Sequence, residues 1–386
     1  MSLLNHSSHH HFFRNKEINH FYIAIFLIFF GECLINIFVP IYLFNLGYEI
    51  YQILFFYFLV SFYFLFLAYP AAKIISRIGE KHSMLYSGLF LILYYVGLNF
   101  INLNKIFFFV LPFLLALRTV FFNFGYHLNY INHSDRKKRG RELAFVGILV
   151  LIVSILAPFA GGLLANLNFT IAFLVSSLFI FCGTIPLFLS KDKFEKIDFD
   201  WKKLWDIIFS KKNIGNFISF SGYAIESIIG VILWPIFLIL LVGSINKTGL
   251  LISVSMLASF VAFYFIGKLT DKVNKIKLLK IGTWLYFVAW IGRIFSNSIL
   301  RIIFIDSYKN LTGKIVDLPW SAQGYDLAKR HYYFSFIVSR EMIFNFSRIL
   351  VLPILIFIFW IDFYPFIISF LIASIASLGY MFIDRK

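Results

Sequence analysis

Ala72-Lys-Ile-Ile-Ser-Arg-Ile-Gly-Glu-Lys81 and Gly267-Lys-Leu-Thr-Asp-Lys-Val-Asn-Lys-Ile276 are two copies of one segment, 195 residues apart. Other landmarks repeat around them. Glu32 recurs as Glu226, Pro40 as Pro235 and Gly47 as Gly243, while Arg118 is matched by Lys314 and Pro158 by Pro353. Each offset lies between 194 and 196 residues, so six landmarks share one spacing. The chain is a duplication of a unit about half its length.

Composition sets the class. Sixty per cent of the 386 residues are apolar, 14 per cent are charged and mean hydropathy is +0.84. A soluble domain carries about 25 per cent charged residues. Aromatic residues reach 21 per cent, with 52 phenylalanines. Phe, Ile, Asn, Lys and Tyr run high together, which is the mark of a compositional bias. The two cysteines, Cys33 and Cys182, lie in apolar stretches and imply no disulfide framework. No short apolar core with a small-residue cleavage site opens the chain, so no removable signal peptide is expected. The run His9-His10-His11 reads as part of a polar tail rather than a metal site.

A bilayer core takes about 20 apolar residues as a helix. Spans are expected near 21–44, 50–72, 83–101, 105–128, 143–165 and 169–189, then 214–242, 247–270, 278–298, 300–327, 335–360 and 362–383. The fold class is an all-α integral membrane protein, with 12 transmembrane helices in two pseudo-symmetric six-helix bundles. The expected organisation is a cytoplasmic N-terminal tail (1–20), an N-terminal bundle (21–189), a cytoplasmic linker (190–213) and a C-terminal bundle (214–386).

Charge position gives the orientation. One set of loops and tails carries 26 of the 35 basic residues, while the opposite loops hold only Lys105 and Lys247. The positive-inside rule places both termini and the linker in the cytoplasm of a plasma-membrane protein. The formal charge of +16 is therefore topological, and no nucleic-acid partner is implied. An anionic leaflet of the lipid bilayer would attract the same loops. Within the linker Trp201, Leu204, Trp205 and Ile208 follow i, i+3, i+4, i+7, which predicts an amphipathic helix lying on the inner leaflet.

Six plus six spans, a charged central linker and the duplicated loop segment resemble the major facilitator superfamily (MFS). The superfamily's loop motif reads roughly Gly-x-x-x-Asp-Arg-x-Gly-Arg-Lys. The first copy here presents Ala72, Ser76, Arg77, Gly79 and Lys81 at those places; the second keeps Gly267, Asp271, Lys272 and Lys275. The resemblance implies a latch near the cytoplasm, in which Gly allows close helix approach and Asp pairs with a helix end or an Arg. In the first copy Ser76 stands where that Asp would be. Pro158-Phe-Ala-Gly161-Gly162 is similar to the end of the superfamily's antiporter motif, although Ala157 replaces the preceding Gly. That likeness implies export by exchange; an ordinary helix kink is the competing reading.

Charged groups inside the apolar spans are costly, about 3 kcal/mol each on insertion scales, and default to pathway roles. Glu32 and Glu226 fall midway along spans one and seven, Arg118 and Lys314 midway along spans four and ten. In the superfamily these four spans line the central cavity. Glu32 and Glu226 are thus the candidate proton-coupling carboxylates. Arg118, Lys314, Asp317 and Arg348 are candidate substrate-binding charges, joined by Asn36, Asn123, Asn345 and Trp320. Tyr126, His127, Trp234 and Gln323 offer further hydrogen bonds. Arg293 is expected to pair with Asp306, and Arg340 and Glu341 to be structural groups reaching toward the cytoplasmic surface. Arg77, Gly79, Gly267, Asp271, Pro158, Gly161 and Gly162 are the candidate gating residues. Pro40 and Pro235 are expected to break the helices above the carboxylates.

The reading that follows is secondary active transport of a small organic solute, anionic or zwitterionic, by alternating access between repeats. Proton coupling and efflux by antiport are expected, with a sugar or nutrient uptake symporter and a lipid flippase or scramblase as alternatives. No metal-spaced His/Cys set, Walker loop or nucleophile elbow is present, so an enzyme is not expected and no cofactor is implied. The expected partners are the solute, protons and the bilayer, around a monomer.

Overall fold

The computed structural model describes residues 16–133, 139–189, 199–270, 275–330 and 333–383. The His9–His11 run, Asp271 and residues 190–198 of the linker lie outside the described residues. Among the described residues every regular element is helical.

Lys16–Ile35 forms α1, a 3-10 turn over Asn36–Phe38 follows, and Val39–Asn45 forms α2. The break precedes Pro40, whose ring clashes with the turn before it and whose nitrogen cannot donate. The next two expected spans are one helical run, α3 (Ile50–Leu98), interrupted only at Gly79 with φ 83°. A side chain there would be strained, so this glycine is what permits the chain to turn without leaving the helix. The rest of the first half is α4 (Phe107–His133), α5 (Arg139–Leu167) and α6 (Phe169–Leu189).

After the linker helix α7 (Trp201–Phe209) come α8 (Ile214–Val242), α9 (Ile245–Thr270), α10 (Lys275–Arg293), α11 (Ile299–Arg330), α12 (Tyr333–Trp360) and α13 (Pro365–Ser377), the last extended by a 3-10 turn. Eight helical stretches, α3 among them, are long and apolar enough to cross a membrane. Since α3 spans it twice, α9, α10 and α11 complete the twelve. The protein is a multi-pass membrane protein. Pro235 differs from expectation: it sits inside an unbroken α8, whereas Pro40 does interrupt its helix.

The duplication is visible in backbone conformation. Gly47 and Gly243 both close their spans in the left-handed region, at φ 90° and 68°. Gly243 caps α8 by donating its N–H to the Ile239 carbonyl at 2.8 Å. Within the first half α1 packs on α5 and α6 while α3 packs on α4 and α6; within the second α8 packs on α12 and α13, and α10 on α11 and α13.

Two long seams join the halves, α5 against α9 and α3 against α12. A β-carbon at Gly162 would lie 3.1 Å from Gly249 Cα, and one at Gly161 would run into the Leu34 carbonyl. The two glycines of the Pro158 segment therefore let α5 approach α1 on one side and α9 on the other. On the linker, Asp200 caps α7 by accepting the Lys202 N–H at 2.9 Å, and Leu204 is buried. Trp201 meets Tyr69 of α3 at 4.6 Å between ring centroids, and Phe199 meets Phe334 of α12 at 5.5 Å. The linker is thus seated over the α3–α12 seam.

Candidate functional site

Between the halves lies a cavity of about 530 Å³, a size suited to a small organic molecule. The first half lines it with Glu32, Asn36, Arg118, Asn123 and His127; the second contributes Tyr223, Trp320, Arg340, Glu341, Asn345 and Arg348. It runs from mid-membrane toward the helix ends that carry the basic loops.

Glu32 and Arg118 form an ion pair from α1 to α4. Both side chains are largely buried, and the guanidinium also lies 4.5 Å from the Phe122 ring centroid. Across the cavity Arg340 donates to Glu341 Oε1 at 2.8 Å, and Asn123 donates to Glu341 Oε2 at 2.8 Å. Arg348 differs from the other two arginines. Its guanidinium reaches only the Ser227 hydroxyl, at 3.4 Å, its buried Nε has no partner, and no carboxylate pairs with it among the described residues. Tyr223 stacks on Trp320 at 5.0 Å, and the Trp320 indole donates to Ser219 at 2.8 Å. Asn345 donates to the Glu341 carbonyl at 3.0 Å.

The cavity therefore holds three guanidinium groups against two carboxylates, each carboxylate already engaged by one arginine. An anionic group fits the remaining one.

Its two ends are closed differently. Away from the basic side, α2 and the turn before it pack against α8. Toward the basic side, polar contacts join α4 to α11 and α12. Arg340 donates to His127 Nε2 at 2.7 Å, His127 Nδ1 meets the Tyr325 hydroxyl at 3.1 Å, and Tyr333 donates to the His127 carbonyl at 3.1 Å. The Phe124 and Phe334 rings meet edge-on at 5.9 Å beside them.

The fold is decided by comparison with solved structures. A POT family transporter in complex with a thioalcohol-conjugated peptide superposes with a TM-score of 0.73 at 12% identity, covering 94% of each chain. A POT family transporter in complex with 5-aminolevulinic acid gives 0.70 at 13% identity, again over 94% of each. The chain has the major facilitator fold. No protein-family model and no curated protein matches it in sequence.

Within that MFS fold the expected residues separate into two groups. Glu32, Asn36, Arg118, Asn123, Trp320, Asn345 and Arg348 meet at the cavity. Glu226, Lys314 and Asp317 are not among its lining residues. Glu226 is enclosed in the second bundle, accepting from Tyr286 at 2.7 Å, Trp290 at 3.1 Å and Tyr380 at 3.1 Å. Lys314 faces Asp317 one turn along α11, at 3.8 Å. Trp234 is buried beneath Arg293, whose guanidinium carbon lies 3.8 Å from its ring centroid; Arg293 pairs with Asp306 at 2.5 Å as expected.

Arg340 and Glu341 are a correction, since they line the cavity rather than reaching for the membrane surface. Glu341, Asn345 and Arg348 stand at i, i+4, i+7, so one face of α12 carries all three. That spacing was readable in the sequence. Of the loop residues, Arg77 is exposed, and Ser76 donates to the Lys73 carbonyl at 2.9 Å. Gly267 lies in α9, and Asp271 lies outside the described residues.

Proposed function

We propose that the protein is a secondary transporter that carries a small anionic or zwitterionic organic solute across the plasma membrane by alternating access, coupled to protons. The observation that carries this reading is Arg348: a half-buried guanidinium in a cavity between two repeats, with no carboxylate of its own among the described residues. A carboxylate of the solute would take its N–H groups in a bidentate, charge-assisted contact. Glu32 and Glu341 offer the complementary charge for an amine. The similar structures hold a conjugated peptide and 5-aminolevulinic acid, the latter an amine and a carboxylic acid in one molecule.

In this reading the basic side is cytoplasmic and α5–α9 and α3–α12 are the surfaces on which the bundles rock. Glu32 is the proposed coupling carboxylate, free to take a proton when the solute draws Arg118 away. The proposed direction is export in exchange for protons, on the likeness of Pro158–Gly162 to an antiporter ending. Right-side-out proteoliposomes loaded with solute should empty when the outside is acidified; accumulation under the same gradient would identify an uptake symporter instead.

The binding test is a thermal-shift screen of purified protein against small organic acids, amino acids and matched uncharged compounds. A ligand that binds only the folded state raises stability by mass action. Carboxylates should shift the wild type and lose their effect in Arg348→Ala, which retains the two ion pairs. Equal shifts in both proteins would refute the assignment.

A further inference from the structure

We infer that His127 is a proton-binding group that works the gate between the cavity and the basic side. The inference rests on the transporter reading and adds to it the site where a proton acts on the contact between halves.

The hydrogen-bond logic fixes the state of the imidazole. A guanidinium can only donate, so Nε2 of His127 accepts from Arg340 at 2.7 Å and must carry no proton. The single ring proton then sits on Nδ1, which donates to the Tyr325 hydroxyl at 3.1 Å. A second proton has one place to go, Nε2. Binding there forms an N–H bond, removes the lone pair that Arg340 uses and sets two cations in contact. The bond between α4 and α12 then becomes a repulsion.

Among the described residues the surroundings of His127 are Arg340, Glu341 and the Tyr333 hydroxyl from α12, and Tyr325 from α11. Among the described residues Glu341 is the one carboxylate near, and both its oxygens are occupied, by Arg340 and by Asn123. On α4 itself Asn123 and Tyr126 are neighbours. Glu80 and Ser83 of α3 pack against Gly125, on another face of the helix.

The contrast with Glu32 is instructive. Its partner Arg118 belongs to the same bundle, so titrating that pair does not by itself loosen one half from the other. His127 ties the first half to α11 and α12 of the second, so a change of charge on its imidazole acts across the two halves. It also lines the cavity, so a proton can reach Nε2 from the far side when the cavity is open there. Protonation releases the gate. Loss of the proton to water on the basic side restores the Arg340 bond. The same sequence serves a proton flowing inward with a solute or against one.

The test reads the gate directly and needs no solute. Cysteines replace Lys73, exposed just before the Gly79 turn of α3, and Lys277, exposed in the first turn of α10, in a background where Cys33 and Cys182 are serine. The pair is spin-labelled, the protein reconstituted in vesicles, and distances measured at about pH 8 and about pH 4.5, the acid value set well below the ordinary imidazole pKa of about 6.5. Acid should populate a longer separation in the parent. His127→Gln, whose carbonyl accepts from Arg340 without titrating, should hold the short separation at both values. His127→Lys, a permanent cation, should show the long one at both. An unchanged distance in the parent would overturn the inference without any variant at 127, and so would acid-driven opening that persists in a well-folded His127→Gln. Loss of carboxylate binding in Arg348→Ala is measured separately, so the transporter reading and this one fail independently.

Discussion

Glu32 and Glu226 hold equivalent positions in the two repeats, yet one faces the cavity paired with Arg118 and the other is sealed behind it among aromatic donors. The difference arises at the matching basic residue. Arg118 crosses from α4 to α1, whereas Lys314 stays on its own helix with Asp317. Tyr286, Trp290 and Tyr380 supply to Glu226 the hydrogen bonds that a cation would otherwise give.

Glu226→Gln should therefore cost stability more than binding. An amide cannot accept from three donors with both its terminal atoms, so at least one buried donor loses its partner, a penalty of about 1–3 kcal/mol. Melting in detergent should fall accordingly while the shift produced by carboxylate ligands persists. If the variant melts like the wild type and loses those ligands, Glu226 belongs to the binding site after all.

Much of this was legible in the sequence because periodicity and duplication report on backbone geometry. The twelve spans, the repeat of Gly47 as Gly243 and the Arg293–Asp306 pair follow from spacing alone. Side-chain reach does not. Whether Lys314 meets Glu226 or Asp317 depends on how α8, α10 and α11 are rotated, and no repeat offset encodes that. Arg340 and Glu341 were misplaced because depth along α12 was weighed without the face they share with Asn345 and Arg348. His127 gained its role from a neighbour 213 residues away.

Gly162→Val tests the α5–α9 seam. Even a bare β-carbon would sit 3.1 Å from Gly249 Cα and 3.2 Å from the Ile245 carbonyl, both of them backbone atoms that cannot swing aside. Overpacking of this kind costs about 1–3 kcal/mol. The variant should melt lower and exchange solute more slowly. Wild-type melting together with wild-type exchange would show that the two helices do not need this approach.

Orientation is open to a direct check. A reporter fused at Lys386 should read cytoplasm, and one inserted after Asn246, in the first turn of α9 at the loop between spans seven and eight, should read exterior. The motive is the 26 basic residues on one side against Lys105 and Lys247 on the other. Both reporters on the same side would contradict the twelve-span topology.

The Glu32–Arg118 pair can be structural, functional or both, and substitution in two steps separates these. Glu32→Gln alone leaves the Arg118 guanidinium buried without its carboxylate, which costs about 3–5 kcal/mol for a buried pair. Replacing both, as Glu32→Gln with Arg118→Gln, removes the stranded charge and should recover most of that stability. What it should not recover is the solute. If Arg118 turns to the substrate during the cycle, the double variant loses a charge-assisted contact of about 1.5–3 kcal/mol, roughly ten- to a hundredfold in affinity, while folding normally. Gradient-driven flux should vanish as well, because a glutamine cannot carry the proton. A double variant that folds, binds carboxylates and concentrates them like the wild type would reduce the pair to a structural tie between α1 and α4.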